Sequence, residues 1–201
     1  MEWTEAGISY EADQRHAEII VKHLGFEGES RSMCTPGVKG IKGSDEEEKE
    51  LDVLLDGHDA TMYRAIVARG IYLAQDRSDI AFAVKELSRK MSNPDRRDWS
   101  SLKRLGRYLL KRERAVIYYD YQAYPRAWSV WVDSDWAGCR RTRKSTSGGV
   151  VMLGSHLIKS WSTTQQVIAL SSGEAEYYSM VRGGSLGMGV SAIAKDMAVS
   201  L

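Results

Sequence analysis

Near Pro125 the hydrophobic pattern of this chain changes period, and that change limits what it can fold into. Before it, apolar residues recur at the three-and-four spacing of amphipathic helices; after it, they crowd into short runs rich in Val and Trp, typical of strands. The spacing predicts a helical region over residues 1–122, then a sheet-containing region over 126–201, an α+β chain.

The helical signals are local and specific. Residues Asp13 to Leu24 place Ala17, Ile20, Val21 and Leu24 on one face, with Gly25 where a C-terminal cap belongs. Glycines and Pro36 make residues 27–42 read as a loop, and 43–58, containing the acidic run Asp45 to Glu50, reads as a solvated linker. From Ala60 two helical patterns follow, Tyr63, Ile66, Val67 and Ile71, then Ile80, Ala83, Val84 and Leu87. A third is expected to start at Asn93-Pro94, with Asn as N-cap, and to run through Trp99, Leu102, Leu105 and Leu109. Beyond Pro125, Trp128 to Asp133, Gly148 to Leu153 and Leu157 to Ser162 read as three strands in succession, and a helix opens near Ser172.

Composition excludes several classes. A hydrophobic share of 43% and a charged share of 27% are those of a soluble globular chain. Lys plus Arg number 28 against 27 acids, so net charge is silent about partners, but Lys85 to Arg114 hold eleven basic residues against four acidic. Such a block suits a polyanion or a solvated helix face. Cys34 and Cys139 belong to no ligand pattern, which argues against a disulfide scaffold or structural zinc and for an intracellular setting, cytoplasmic or nuclear. His16 and His23 share a helix face without acidic or thiol partners at ligand spacing. No apolar run approaches the ~18 residues that cross a bilayer, and MEWTE at the start lacks the apolar stretch of a leader.

Two acidic clusters sit at element boundaries. Asp133 and Asp135 end the first strand; Glu174 and Glu176 begin the last helix. A carboxylate from each could hold Mg²⁺, which takes oxygen ligands and keeps several waters, although acids are also common in turns and first helical turns. Residues two apart on a helix point ~200° apart, so only one of the two glutamates can serve a given ion. The glycine-rich run Gly183 to Gly189 lacks the Lys-Ser/Thr and preceding strand of a phosphate loop. In a helix interior each glycine costs ~1 kcal/mol relative to Ala, so this helix is expected to be broken or poorly ordered when alone.

The run DSDWAGCRRTRKSTSGGVVMLG (Asp133 to Gly154), followed by KSWSTTQQVIALSSGEAEYYSM (Lys159 to Met180), closely resembles the ribonuclease H domain of copia-type retrotransposons. Upstream, Tyr63 to Leu109 resembles the segment joining polymerase to ribonuclease H in the same polyproteins. The resemblance implies a helical connection segment followed by a partial ribonuclease H-like fold, an antiparallel three-stranded meander and then a helix. It also implies a Mg²⁺ (or Mn²⁺) site that cuts RNA in an RNA–DNA hybrid, and the remainder of the polyprotein as a partner. Asp133 matches the family's first-strand aspartate, with Asp135 in reserve. Glu176 matches its helical glutamate better than Glu174. The family's further catalytic aspartates follow that helix, where this sequence offers only Asp196, so the 201 residues alone are expected to cleave poorly, the alternative being a non-catalytic nucleic-acid-binding remnant. Polymerase activity is not expected, because no Tyr-x-Asp-Asp turn is present. Phosphate contacts are expected from Arg104, Arg107 and Lys111 on the third helix of the connection and from Arg140, Arg141, Arg143 and Lys144 beside the acids.

Overall fold

A computed structural model of the chain describes residues 1–26, 31–38, 52–139 and 141–199. Two compact units emerge: Tyr10–Ile117, and Met1–Ser9 together with the chain from Tyr118 onward. The architecture is mixed α/β. The acidic run Asp45 to Glu50 and Arg140 lie outside the described residues.

Among the described residues four helices build the first unit: α1 (Gln14–His23), α2 (Gly57–Leu73), α3 (Ser78–Ser88) and α4 (Arg96–Leu109). Each apolar stripe turns inward, so Ile20, Tyr63, Ile66, Ile80, Leu102, Leu105 and Leu109 are essentially inaccessible to water. Three expectations are corrected here. Helix α2 starts at Gly57, inside the stretch read as linker, because the Asp56 carboxylate accepts from Asp59 N–H at 2.8 Å and caps it. Ile71 faces outward at 41% exposure, the inner positions being Gly70 and Leu73. Helix α4 starts at Arg96 and not at Pro94, because Asp95 and Asp98 form a reciprocal capping box, each carboxylate accepting from the other residue's N–H.

Between α3 and α4 lies a buried charge. Arg77, 2% exposed, forks onto Asp79 at 2.9 and 2.8 Å and donates to the Arg112 carbonyl at 2.9 Å. The Tyr108 hydroxyl donates to the same Asp79 carboxylate at 2.8 Å.

In the second unit β4 (Trp128–Asp135), β5 (Thr146–Leu153) and β6 (His156–Thr164) form an antiparallel meander in sequence order, followed by α5 (Ser172–Asp196). A further small sheet, β1 (Glu2–Trp3), β2 (Gly7–Glu11) and β3 (Val116–Asp120), was not foreseen from the pattern. The chain passes from one unit to the other within β2 and within β3.

Despite its glycines α5 runs unbroken for 25 residues, contrary to the expectation of a broken helix. Packing supplies the reason. A Cβ at Gly183 would run into the Cγ1 methyl of Val132 and stand 3.2 Å from that of Val130; one at Gly187 would stand 2.8 Å from Val130 Cγ2. Missing side chains let the helix backbone settle onto β4. Gly184, by contrast, faces open space. Gly183→Ala is therefore expected to destabilise the unit by about 1–3 kcal/mol through overpacking. Gly184→Ala should stabilise it by up to ~1 kcal/mol through helix propensity. Urea denaturation of the two variants checks the opposite signs.

Candidate active site

Side chains alternate along β4. Val130 and Val132 lie against α5, whereas Trp131 and Asp133 are exposed. Two bonds dock α5 on the end of this strand. The Ser179 hydroxyl, fully buried, donates to the Asp133 carbonyl at 3.0 Å, and Ser134 N–H donates to Glu176 Oε1 at 3.3 Å. Half-buried Glu176 thus reaches the peptide that follows Asp133, and the two residues bracket one backbone unit. The Asp133 carboxylate makes no hydrogen bond or ion pair to another described residue, so it remains available.

The reserve acids have other occupations. Glu174 closes the start of α5: its carboxylate accepts from Leu170 N–H at 2.7 Å and from the Tyr178 hydroxyl at 2.8 Å, and that bond pushes the Tyr178 phenol pKa up. Asp135 accepts from Thr146 N–H across the hairpin mouth and lies against Gly138, pinning the loop between β4 and β5. Asp196 is exposed at the far end of α5.

Two residues that the sequence reading passed over organise this end of the sheet. Gln165, 8% exposed, donates through Nε2 to Ser147 Oγ at 3.0 Å and to the Ala175 carbonyl at 2.9 Å, tying β5 to the first turn of α5. Trp136 donates through its indole N–H to the Ala169 carbonyl at 3.1 Å, tying the end of β4 to the segment before α5. A polar amide directly after the third strand was the available signal for the first. For the second it was a tryptophan embedded among turn residues.

Asp133 and Glu176 are the two carboxylates that this end of β4 and the first turns of α5 bring to one peptide unit, and carboxylate oxygens are the donor type that Mg²⁺ takes. Among the described residues no group of three or more His, Cys, Asp and Glu is assembled, so a pair of ions has too few donors here.

The cations divide into two sets. On α4, Arg104 donates to Thr35 Oγ1 at 2.7 Å, and the Arg107 guanidinium lies 5.4 Å from the Phe26 ring centroid. Their neighbour Arg112 donates to the Cys34 carbonyl at 3.0 Å. These arginines hold the segment around Cys34-Thr35 onto the helix; of the expected row, Arg104 and Arg107 are half-buried and Lys111 is exposed. On the β4–β5 hairpin, Arg141 and Arg143 are exposed and Lys144 half-buried, and their side chains make no hydrogen bond or ion pair to another described residue.

Over 128 residues, 63% of its length, the chain is 39% identical to the retrovirus-related Pol polyprotein from transposon RE2 of Arabidopsis thaliana. The chain is homologous to a stretch of the retrotransposon Pol polyproteins. The matched stretch is 9% of that polyprotein, so the similarity covers a small part of such a protein. It is also 36% identical over 123 residues to an uncharacterized mitochondrial protein of the same plant, covering 59% of this chain and 49% of that one. A third relative, named a secreted RxLR effector protein of Plasmopara viticola, is 34% identical over 125 residues, covering 60% of this chain and 79% of that protein. No family profile and no solved structure matches the chain. No described helix is long and apolar enough to cross a membrane.

Proposed function

We propose that the second unit belongs to a ribonuclease H-like module of a copia-type retrotransposon polyprotein, acting on RNA in RNA–DNA hybrids. The observation that carries this reading is the bond from Ser134 N–H to Glu176 Oε1, which brings the glutamate of α5 to the aspartate-bearing end of β4. Asp133 and Glu176 would hold Mg²⁺ (or Mn²⁺), and a bound ion would supply charge stabilisation at the phosphate and a water of lowered pKa. Ser134 N–H fixes one oxygen of Glu176 and leaves the other for a ligand. Asp133 contributes an exposed, unengaged charge. The cations Arg141, Arg143 and Lys144, on the hairpin that leaves β4 and without side-chain partners among the described residues, would take the phosphodiester backbone and hold it in register without reading sequence.

A second reading, nucleic-acid binding without cleavage, is favoured by one observation: no three-membered ligand group is assembled among the described residues. Metal binding separates the two. Titrating Mn²⁺ into the chain in the presence of a hybrid, followed by the loss of its free-ion electron paramagnetic resonance signal, should reveal a site. Glu176→Gln or Asp133→Asn should weaken it by at least about 10-fold, removal of a direct ligand outweighing the loss of an outer partner. Glu174→Gln should leave it intact. Identical titrations for wild type and all three variants would leave the binding-only reading standing.

A further inference from the structure

We infer that Trp136 is a stacking platform for an unpaired base of a nucleic-acid strand, placed to lead that strand past Asp133 and Glu176. It comes three positions after Asp133, and its anchor, the Ala169 carbonyl, comes two positions before Ser171, the N-cap of the helix that carries Glu176. That bond occupies the indole's one polar atom and fixes the ring, yet 54% of the residue stays exposed. A rigid aromatic face left open to water, with its donor already used, can gain from a flat apolar partner. Ile168 at 52% and Leu170 at 85% exposure extend the apolar surface on the segment that holds the ring.

The charge beside it selects the partner. Trp136 opens the same hairpin that presents Arg141, Arg143 and Lys144 without side-chain partners among the described residues, and Cys139 N–H to the Lys144 carbonyl at 3.1 Å closes that hairpin on itself. Aromatic faces interleaved with free cations are the chemistry that binds single-stranded nucleic acid, bases stacking while cations follow phosphates. A purely apolar protein contact would leave three unpaired cations at its rim. The inference rests on the nucleic-acid part of the proposed function but not on metal or cleavage.

The test is therefore run in EDTA, with fluorescein-labelled single-stranded RNA and the matching RNA–DNA hybrid, by anisotropy over a range of salt. Trp136→Ala should weaken single-strand binding about 5- to 100-fold, the range that base–aromatic stacking spans, and weaken hybrid binding less because paired bases are already stacked. Trp136→Tyr should restore most of it. The salt slope should stay at the wild-type value in Trp136→Ala. In the Arg141→Ala/Arg143→Ala/Lys144→Ala variant it should fall by about 2, at ~0.7 per phosphate contact on a single strand. Should Trp136→Ala fail to fold by circular dichroism, Leu170→Ser, altering a side chain in water, should still lower single-strand affinity several-fold. Unchanged single-strand affinity in folded Trp136→Ala overturns the inference. So does concentration-dependent self-association in sedimentation that this substitution abolishes without changing RNA affinity. Loss of the Mn²⁺ site with these binding effects intact would instead overturn only the metal reading.

Discussion

Asp79→Ala is expected to cost the helical unit about 3 kcal/mol, one of the largest effects of any single substitution in it. The Arg77 side chain is 1% exposed and its guanidinium forks onto Asp79, so removing the carboxylate strands a cation away from water. Breaking a buried pair in this way costs about 3–5 kcal/mol; the lower end applies because the Asp79 side chain is 36% exposed and solvent screens it. Tyr108 and the Arg112 carbonyl lose their geometry with it, loosening α3 from the end of α4. The double variant Arg77→Met/Asp79→Leu should recover most of the loss, since replacing both partners leaves no unpaired charge. Burial alone would raise the Asp79 carboxyl, but the hydrogen bonds from Arg77 and Tyr108 outweigh it and hold its pKa below the ordinary value. A depressed carboxyl contributes stability above its unfolded pKa, ~4, and loses it as pH falls through the folded value. Acid should therefore narrow the gap between wild type and Asp79→Ala, as urea denaturation followed by circular dichroism at pH 7 and pH 3 would show. A loss under about 1 kcal/mol at pH 7 would mean that water reaches Arg77.

What could be read from the residues was whatever local periodicity encodes. The meander followed from three strand patterns in succession. The spacing of Ile80, Ala83, Val84 and Leu87 foretold a face that is buried throughout. Features set by distant partners were not legible. Arg104 and Thr35 lie 69 residues apart, so nothing near Arg104 announced that its guanidinium would be occupied. The α5 glycines looked like breaks because their reason lies on another element, in the methyls of Val130 and Val132. Asn93 and Pro94 each suit a helix start on their own; the reciprocal Asp95–Asp98 pair satisfies two N–H groups and prevails. The acids show the same division. Spacing identified four candidates, the resemblance ranked them, and the hydrogen bonds then set Glu174 and Asp135 to capping and turn closure while placing Glu176 at the Asp133–Ser134 peptide.

The proposed metal-dependent cleavage of an RNA–DNA hybrid rests on Asp133 and Glu176 as the acting carboxylates. Its most direct test uses a polypeptide in which these residues are joined to the further aspartate-bearing elements that the ribonuclease H resemblance calls for. Hybrid cleavage should then require Mg²⁺ or Mn²⁺ and stop on chelation. Asp133→Asn and Glu176→Gln should each reduce it by at least about 100-fold, since an amide does not supply the negative charge that holds and orients the ion. Glu174→Gln, which disturbs only the bonds to Leu170 N–H and Tyr178, should stay within about 5-fold of wild type, a capping loss of roughly 1 kcal/mol being absorbed by the fold. Full cleavage in Glu176→Gln together with loss in Glu174→Gln would contradict the assignment of the site.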